Sequence, residues 1–453
     1  MINETINKQK DFYQLGHTKP APFRLKALIN LKNAIESSTE EISLALKLDL
    51  NKSAFESYLS EIGIVLSEIE YAIKHVKKWM KPRKKRTPLP LFLAKSYELS
   101  EPLGVVLIMS PWNYPFQLAM VPLIGALAAG NTAVVKPASY AVHTSNVIKK
   151  ILDATFEDHY VKTILGGREE NTKLLDQPFD YIFFTGSSNV GKTVLEKASK
   201  NLTPVTLELG GKSPCIIDQD VNLSLTAKRI VFGKFLNAGQ TCVAPDYVFI
   251  RENQFNSFVE GLKKAIHEFF KEKPLDYPDY PKIINERHLS RLIGLLKGEE
   301  IVLGGKYNET SLEPTILKNV KTDSAVMNEE IFGPILPVLF YKDIEEVYSF
   351  ISTRPKPLAL YLFSNDSVMI QNTFQRLSFG GATINDTVMH FASSEMGFGG
   401  VGASGNGRYH GQYSFDTFSN KRSIVHRSNL VDINVRYHPY TNKKLNLLKK
   451  LMK

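Results

Sequence analysis

Three short apolar runs, each followed by a polar or glycine-containing turn, constrain the fold of this chain most strongly. The runs are PLGVVLIMS (102–110), NTAVVKPAS (131–139) and YIFFTG (181–186). Continuous apolar runs of this length are typical of buried parallel strands. Because helical patterns separate them, they predict a parallel sheet with helices on its faces. Ligands bind such sheets at the carboxyl ends of the strands.

The same alternation restarts after Asp220 and predicts a second α/β unit. A helix is expected over 223–236, a strand over 247–251 and a helix over 254–270, with further strands near 301 and over 335–340. Residues 20–80 show helical spacing of apolar side chains, and a further helix is expected over 118–128. The alternation after the prolines at 82, 88 and 90 predicts an edge or interface strand. A chain of 453 residues is long enough for two or three domains.

Charge and cysteine content exclude several classes of protein. The net charge is +10, but Lys and Arg are spread along the chain, so a nucleic-acid-binding module has little support beyond the basic run 81–86. Two cysteines give no disulfide framework and no CxxC metal pattern. The polar N-terminus lacks the apolar core of a signal peptide. These features favour a cytoplasmic protein without a metal site or a nucleic-acid partner.

Cys242 lies in a turn, NAGQTCVAPDY (237–247), outside any periodic apolar face. An isolated cysteine is more often a small buried side chain than a reactive one. As a nucleophile it would need a base, an oxyanion site and an electron acceptor from elsewhere in the chain.

Two predicted strand ends carry polar residues that suit such chemistry. Asn113, held between prolines in PWNYP, offers an amide donor for an oxyanion, although an Asn that satisfies a turn is the simpler interpretation. Glu208 follows Leu207 in TLELGGKSP (206–214). Burial would raise its pKa toward that of a general base, whereas an edge strand would leave it in solvent.

Other motifs are compatible with a nucleotide. Gly186 and Gly191 bracket a predicted helix N-terminus with Ser187 between them, where backbone N–H groups favour a pyrophosphate. Their spacing matches neither the usual dinucleotide fingerprint nor a P-loop. Glu330 and Phe332 in EEIFGP suit a ribose and a flat ring, or simply a helix end and a core residue. The Gly-rich segment 397–411 predicts a loop wrapped closely round a ligand or a neighbouring segment.

Six motifs together resemble the aldehyde dehydrogenase superfamily. PWNYP, FTGSSNVGK, LELGGKSP, GQTCVAPDY, EEIFGP and SGNGRYHG occur in the family's order, over about residues 20–430, and Glu208 and Cys242 have the family's spacing. DYPKIINERHLSRL and FDTFSNKR further resemble the class 3 branch, whose members act on fatty and aromatic aldehydes. The resemblance implies an α/β protein with two doubly wound α/β domains and a β bridging or oligomerisation arm.

The resemblance also implies domain bounds, with a homodimer formed through the arm. The expected segments are a nucleotide-binding domain (1–81 and 101–209), a catalytic domain (210–408), the arm (82–100 and 409–433) and a basic C-terminal tail (434–453). The tail alternates leucines with lysines. At most it makes peripheral contact with anionic lipid, and a solvated end or a subunit contact is the favoured interpretation.

Three residues are expected to carry the chemistry implied by the resemblance. Cys242 attacks an aldehyde and forms a thiohemiacetal, and Asn113 with the Cys242 backbone N–H holds the oxyanion. A hydride passes to the cofactor, and Glu208 activates the water that hydrolyses the thioester to a carboxylic acid.

The resemblance implies NAD or NADP as the cofactor. Lys136 matches the residue at the adenine-side ribose, Glu330 the one at the nicotinamide-side ribose, and Phe332 the one beside the nicotinamide. The expected pyrophosphate loop contains Gly186, Ser187 and Gly191. Many NAD-preferring relatives carry a Glu where this chain has Ser139. A serine does not repel a 2′-phosphate, so NADP should be tolerated or preferred.

Two questions stay open at this point. A CoA-acylating enzyme and a catalytically silent protein on the same fold are alternatives, although the presence of Glu208 argues against the first. Long-chain aliphatic, aromatic and carotenoid-type aldehydes all suit a class 3 scaffold. The expected substrate is a medium- or long-chain aliphatic or aromatic aldehyde. Tyr114, Leu118 and His390 are candidate substrate-tunnel residues because they lie next to motifs.

Overall fold

The structure is a computed structural model that describes residues 2–430, 432 and 434–452. Positions 431 and 433 of the expected arm and position 453 of the expected tail lie outside the described residues.

Helices alternate with strands over most of the described chain. The α-helices are α1 (Ile2–Gln14), α2 (Ala21–Ser37), α3 (Thr39–Leu50), α4 (Ala54–Ser57), α5 (Gly63–Trp79), α6 (Gln117–Ala129), α7 (Val142–Thr155), α8 (Arg168–Leu175), α9 (Ser188–Ser199), α10 (Leu223–Phe235), α11 (Phe255–Phe270), α12 (Glu286–Leu295), α13 (Ala325–Asn328), α14 (Ile344–Ser352), α15 (Ser367–Arg376), α16 (Gly411–Thr417) and α17 (Asn442–Leu451).

The strands form three sheets. They are β1 (Arg83–Lys85), β2 (Ala94–Pro102), β3 (Val105–Met109), β4 (Thr132–Lys136), β5 (Val161–Thr163), β6 (Tyr181–Thr185), β7 (Val205–Glu208), β8 (Pro214–Ile217), β9 (Tyr247–Ile250), β10 (Glu300–Leu303), β11 (Thr315–Lys318), β12 (Ile335–Phe340), β13 (Ala359–Phe363), β14 (Gly381–Ile384), β15 (Gly405–Asn406) and β16 (Ser419–Arg427).

The first sheet has the order β15-β7-β6-β3-β4-β5 and contains the three apolar runs as β3, β4 and β6. All its pairings are parallel except that of β15 with β7. Both β3 and β4 are buried along their whole length, because helices cover the two faces. Strand order reverses at β3, so a crevice opens beyond the carboxyl ends of β3 and β6.

The second sheet contains the predicted second α/β unit. Its order is β10-β11-β12-β9-β8-β13-β14, and only β10 pairs antiparallel within it. Helices α10 and α11 agree with the predicted helices to within a residue or two. These two parallel sheets confirm the expected fold class.

The third sheet is antiparallel, with the order β1-β2-β16. The sequence suggested an edge or interface strand after the prolines at 82, 88 and 90, but β2 is the central strand and pairs with both neighbours. The edge assignment is wrong because β16, more than 300 residues later in the sequence, covers the free side of β2.

The Gly-rich segment 397–411 packs back onto the first sheet. Gly405 in β15 pairs with Glu208 in β7, and a Cβ on Gly405 would lie 2.0 Å from the Leu207 carbonyl oxygen. With a φ of +132°, this position favours glycine for two independent reasons.

The C-terminal helix α17 is exposed, and its leucines include Leu445 and Leu447, which are 48% and 43% exposed. Across the described part of the chain, no helix is both long and apolar enough to cross a membrane.

Candidate active site

The turn that carries Cys242 is held in an unusual backbone conformation. After α10, residues Asn237, Ala238 and Gly239 have φ values of 51°, 50° and 73°. Left-handed non-glycine residues cost of order 1–3 kcal/mol each and persist when their surroundings hold them in place. Here the Asn237 backbone N–H donates to Glu56 Oε1 (2.8 Å), and its side-chain amide donates to the Asn113 carbonyl (2.8 Å). The turn therefore has a defined position relative to Asn113.

Cys242 is half-buried, and its surroundings disfavour the thiolate. Burial raises the pKa of its thiol to about 12, and the carboxyl groups of Glu330 and Glu208 act in the same direction. The backbone N–H groups of Cys242 and Val243 hydrogen-bond to the sulfur and act in the opposite direction. The free protein thus holds a protonated thiol next to two acidic side chains.

Two cavities of different character meet at Cys242. The wide polar cavity, about 560 Å³ in volume, is lined by Pro111, Trp112, Asn113, Leu118, Thr185, Gly186, Ser187, Ser188, Asn189, Glu208, Leu209, Gly210, Cys242, His288, Arg291, Asn328, Glu329, Glu330 and Phe332. The narrow apolar cavity, about 40 Å³, is lined by Ser60, Tyr114, Gln117, Leu118, Leu236, Thr241, Cys242, Val243, Val388, Phe391, Phe398, Tyr409 and His410. Cys242 and Leu118 line both.

Asn113 is brought to this site by the turn after β3. Its side chain is 2% exposed, and its amide nitrogen donates to the carbonyl of Gln240 at 2.9 Å. A primary amide has two N–H groups, so a second donor is available for a ligand. The bond to Gln240 orients the amide toward the turn that carries Cys242.

Glu208 ends β7 and is 3% exposed, so the alternative of a solvent-facing edge residue is wrong. Within the described part of the chain, neither of its carboxyl oxygens has a hydrogen-bond partner. Burial raises its pKa well above the ordinary value, and the charge of Arg408 offsets this only in part. An unsatisfied buried carboxyl group is costly, and such groups concentrate at sites that perform acid–base chemistry.

Glu330 and Phe332 also line the wide polar cavity. The Glu330 side chain packs against Gly210. A Cβ added at Gly210 would lie 2.0 Å from one carboxyl oxygen of Glu330. Its Oε1 has no partner among the described residues, and burial raises its pKa to about 8. Phe332 has a left-handed backbone (φ 48°). Its ring contacts the Trp112 ring edge-on, with the ring centres 5.4 Å apart. The unpaired oxygen is free to bind a hydroxyl group in the cavity.

The N-terminus of α9 opens onto the same cavity. Ser187 is the N-cap residue and makes no side-chain capping bond, so the first backbone N–H groups of the helix can face a ligand. Gly186 lines the cavity beside it. Gly191 does not line the cavity. A Cβ at this position would lie 2.9 Å from the Leu209 side chain, so the glycine allows α9 to pack closely on the segment after β7.

Lys136 and Ser139 lie outside the lining of the wide polar cavity. Lys136 ends β4, is 3% exposed, and donates to the carbonyls of Pro137 (2.9 Å) and Gly166 (2.7 Å). Burial lowers its pKa to about 8. Ser139 follows in the same loop and is exposed.

Comparison with known proteins identifies the family. The sequence model of the protein family described as "Aldehyde dehydrogenase family" matches residues 2–424 of this chain. A 4,4'-diaponeurosporen-aldehyde dehydrogenase of Staphylococcus aureus (strain NCTC 8325 / PS 47) is 48% identical, over 98% of this chain and 97% of that protein. Aldehyde dehydrogenase family 3 member A2 of Mus musculus is 43% identical, over 94% and 88%. The solved substrate-bound state of Staphylococcus aureus AldH, 48% identical, superposes with a TM-score of 0.98, and each chain covers 100% of the other.

The chain belongs to the aldehyde dehydrogenase family. Its relatives confirm the class 3 branch expected from the motifs. This aldehyde dehydrogenase is therefore an oxidoreductase that acts on aldehydes, in a family that depends on NAD or NADP.

The candidate tunnel residues of this aldehyde dehydrogenase divide into two groups. Tyr114 and Leu118 line the narrow apolar cavity, and the Tyr114 hydroxyl hydrogen-bonds to that of Thr241 at 2.7 Å. His390 is not part of the lining. The His390 ring stacks on the ring of Phe398, a lining residue, and hydrogen-bonds to the Thr383 side chain.

Several residues at the site carry no recognisable signal in the sequence. The ion pair of Lys52 and Glu61 is completely buried behind Asn113. A lone Lys after a helix is ordinarily exposed, so only the folded chain reveals it. Phe398 and Tyr409 come from the Gly-rich segment, whose composition predicted close wrapping but not which side chains would line the narrow apolar cavity.

Proposed function

We propose that this aldehyde dehydrogenase oxidises medium- or long-chain aliphatic or aromatic aldehydes to carboxylic acids with NAD(P)+ through a covalent intermediate on Cys242. The observation that carries the proposal is the position of Cys242, where a narrow apolar cavity meets a wide polar one. An aldehyde whose chain fills the apolar cavity would present its carbonyl carbon to the sulfur, and a nucleotide in the polar cavity would reach the same carbon from the other side.

The first step is attack by sulfur. The Cys242 Sγ bonds to the aldehyde carbon, the thiol proton leaves to Glu208 or to solvent, and the carbonyl oxygen becomes negatively charged. Asn113 and the backbone N–H of Cys242 stabilise that charge. Each donor of this kind typically contributes 10²–10³-fold in rate, which is about 3–4 kcal/mol.

The second half of the reaction returns the free enzyme. The cofactor, when bound, supplies the acceptor for the hydride that the aldehyde carbon gives up. Glu208, as a carboxylate, takes a proton from a water molecule that attacks the acyl group on Sγ. The C–S bond then breaks and the carboxylic acid leaves. The raised pKa of Glu208 makes its carboxylate a stronger base toward water than an ordinary exposed carboxylate.

The wide polar cavity fits NAD(P) in three respects. The N-terminus of α9 with Gly186 and Ser187 would hold the pyrophosphate. The unpaired Oε1 of Glu330 would accept a ribose hydroxyl, and Phe332 would flank the nicotinamide. The family resemblance would place Lys136 and Ser139, which lie outside that lining, at the adenine-side ribose, where Ser139 would admit a 2′-phosphate.

The substrate class follows from the lining of the narrow apolar cavity, which is built mainly from aromatic and aliphatic side chains. One relative is named for 4,4'-diaponeurosporen-aldehyde. We infer that apolar aldehydes are preferred over polar ones, because each methylene that enters this cavity contributes about 0.8 kcal/mol. A volume of about 40 Å³ holds only the part of the chain next to the carbonyl group. The homodimer, the cytoplasmic location and a peripheral role of the tail remain predictions.

The test is a panel of initial rates. Acetaldehyde, hexadecanal, benzaldehyde and 4,4'-diaponeurosporen-aldehyde are each assayed with NAD and with NADP, on wild type, Cys242→Ala and the control Cys215→Ala. Cys215 is buried in β8, away from both cavities, so its variant should keep activity. Loss of activity confined to Cys242→Ala supports the nucleophile, and activity in that variant would overturn it. Formation of acyl-CoA on addition of CoA would favour the acylating alternative.

A further inference from the structure

A buried ion pair lies directly behind the proposed oxyanion donor. Lys52 and Glu61 are both 0% exposed, and Nζ lies 2.5 Å from Oε1. Burying two charges carries a desolvation cost that often exceeds their attraction, so such a pair is weak evidence for stability. The contacts of Lys52 and Glu61 indicate a role other than stabilising the fold.

The contacts of this pair converge on one short segment. Lys52 Nζ donates to the carbonyl oxygen of Asn113 (3.0 Å) and lies 3.9 Å from the centre of the Tyr114 ring. Glu61 Oε2 accepts the backbone N–H groups of Phe116 (2.8 Å) and Gln117 (3.2 Å), at the start of α6. The pair thus binds the loop 113–117 at both ends.

Local geometry aims both side chains at that loop. Glu61 lies in a π-helical turn, Tyr58–Ile62, between α4 and α5. Such turns shift the register of a helix and are frequent at functional sites. An ammonium group offers three donors, and here it meets a carboxylate, a carbonyl and an aromatic face.

We propose that Lys52 is a positioning residue that sets the place of the Asn113 amide through the Asn113 carbonyl. The inference rests on the proposed role of Asn113 in holding the oxyanion. The same carbonyl also accepts from Asn237, which begins the turn carrying Cys242. Lys52 and Asn237 therefore hold the oxyanion donor and the nucleophile through one shared acceptor.

The expected effect is on catalysis more than on cofactor binding. Lys52→Met removes one of the two donors to the Asn113 carbonyl and lets the loop relax. A displacement near 1 Å can cost up to about 10²-fold. We expect kcat/KM for the aldehyde to fall about tenfold or more, with the KM for the cofactor and the rate of Cys242 alkylation by iodoacetamide unchanged.

A double-mutant cycle separates positioning from general support. Asn113→Ala should lower kcat/KM by about 10²–10³-fold. If Lys52 acts through Asn113, Lys52→Met/Asn113→Ala is no slower than Asn113→Ala alone. Additive losses would overturn the inference while leaving the proposed function intact. Wild-type activity in Asn113→Ala would overturn both.

A matched control is available at the other end of α6. Arg24 is 3% exposed and donates to the carbonyls of Thr18 (3.0 Å) and Ala128 (3.1 Å), far from either cavity. Arg24→Met should lower Tm but keep kcat/KM at the wild-type value. If kcat/KM fell in proportion to Tm to the same extent in Lys52→Met and Arg24→Met, the positioning role of Lys52 would be contradicted.

A second variant covers the case in which Lys52→Met does not fold because Glu61 is left unpaired. Lys52→Met/Glu61→Gln removes both charges and keeps an amide oxygen for the N–H groups of Phe116 and Gln117. The same tenfold loss, again absent in the Asn113→Ala background, supports the inference. Wild-type kcat/KM in this folded variant would refute it.

Discussion

At the scale of single residues, the site is dominated by groups whose burial opposes charge. The thiol of Cys242 and the carboxyl groups of Glu208 and Glu330 all have raised pKa values, with burial as the largest cause. In the free protein these acids favour their protonated forms. The reactivity of the site should therefore increase with pH, because the Cys242 thiolate and the Glu208 carboxylate both form by loss of a proton.

Replacing one neighbouring acid should make the thiol more reactive. Glu330→Gln removes the second-largest contribution to the raised thiol pKa, after burial. Because Glu330 is charged mainly above its pKa of about 8, the thiolate fraction should rise several-fold above that pH and change little below it. The measurement is the rate of iodoacetamide alkylation from about pH 6 to about pH 10. Cys242→Ala gives the background from Cys215. Superimposable pH–rate curves for Glu330→Gln and wild type would contradict this assignment.

Removing the unsatisfied carboxyl group should stabilise the fold and abolish turnover. The folded pKa of Glu208 lies above its unfolded value, so the unfolded chain loses a proton that the folded chain keeps, and stability falls as pH rises above about 4.5. Glu208→Gln removes that loss. We expect Glu208→Gln to be more stable than wild type near pH 8, with little difference near pH 4.

Chemical denaturation at both pH values, with the exposed Glu169→Gln as a control, measures this effect. A gain that is equal at the two pH values would show that ionisation of Glu208 is not its cause. The same variant should give one turnover of acyl-enzyme formation and then stop.

At the scale of elements, the site is assembled from turns that follow strands and helices. Asn113 follows β3, Gly186 follows β6, Glu208 ends β7, and Cys242 follows the left-handed turn after α10. Parallel strands bring their carboxyl ends to one edge, so residues distant in sequence meet there. The narrow apolar cavity adds side chains from the Gly-rich segment that β15 fastens to β7.

The loop after β4 should decide between the two cofactors. Ser139→Glu places a carboxylate where a 2′-phosphate would otherwise be accepted, so kcat/KM with NADP should fall by about tenfold or more, while kcat/KM with NAD is kept or improved. The control is Val368→Glu, at a 62%-exposed position on α15. A hundredfold preference of the wild-type enzyme for NAD would contradict the starting assumption about Ser139.

At the scale of the whole molecule, two parallel sheets form the site, and an antiparallel sheet stands apart from both. The connection between β1 and β2 exposes Leu89 (58%), Phe92 (58%) and Leu93 (50%). A contiguous exposed apolar surface commonly marks a protein–protein contact. This position agrees with the predicted role of the arm in forming a homodimer.

Charge placed on that surface should weaken the predicted homodimer. Leu89→Glu/Phe92→Glu would bury two carboxylates at a subunit contact, so the mass by light scattering should fall from about twice 51.0 kDa toward 51.0 kDa. Leu202→Glu, at a 90%-exposed site after α9, serves as the control. A variant that keeps the dimer mass at low concentration would exclude this surface from the interface.

How far the sequence predicts this protein depends on the range over which each signal acts. Apolar runs and turn residues act locally, so β3, β4, β6, α6, α10 and α11 were predictable, and so was the fold class once six motifs occurred in order. Cys242, Asn113, Glu208, Glu330 and Phe332 were predictable as a set because each belongs to a motif, and the fold brings them to one cavity.

Only the tertiary structure decided the features that depend on contacts between distant segments. The central position of β2 depends on β16, and burial of Lys52 depends on Glu61 and the loop 113–117. Exclusion of Lys136 from the cavity lining depends on the carbonyls of Pro137 and Gly166. By itself the sequence determined which chemical groups are present and in which motifs. Burial and long-range hydrogen bonds determined which of them face a ligand and at what pKa, because solvation is a property of the folded chain.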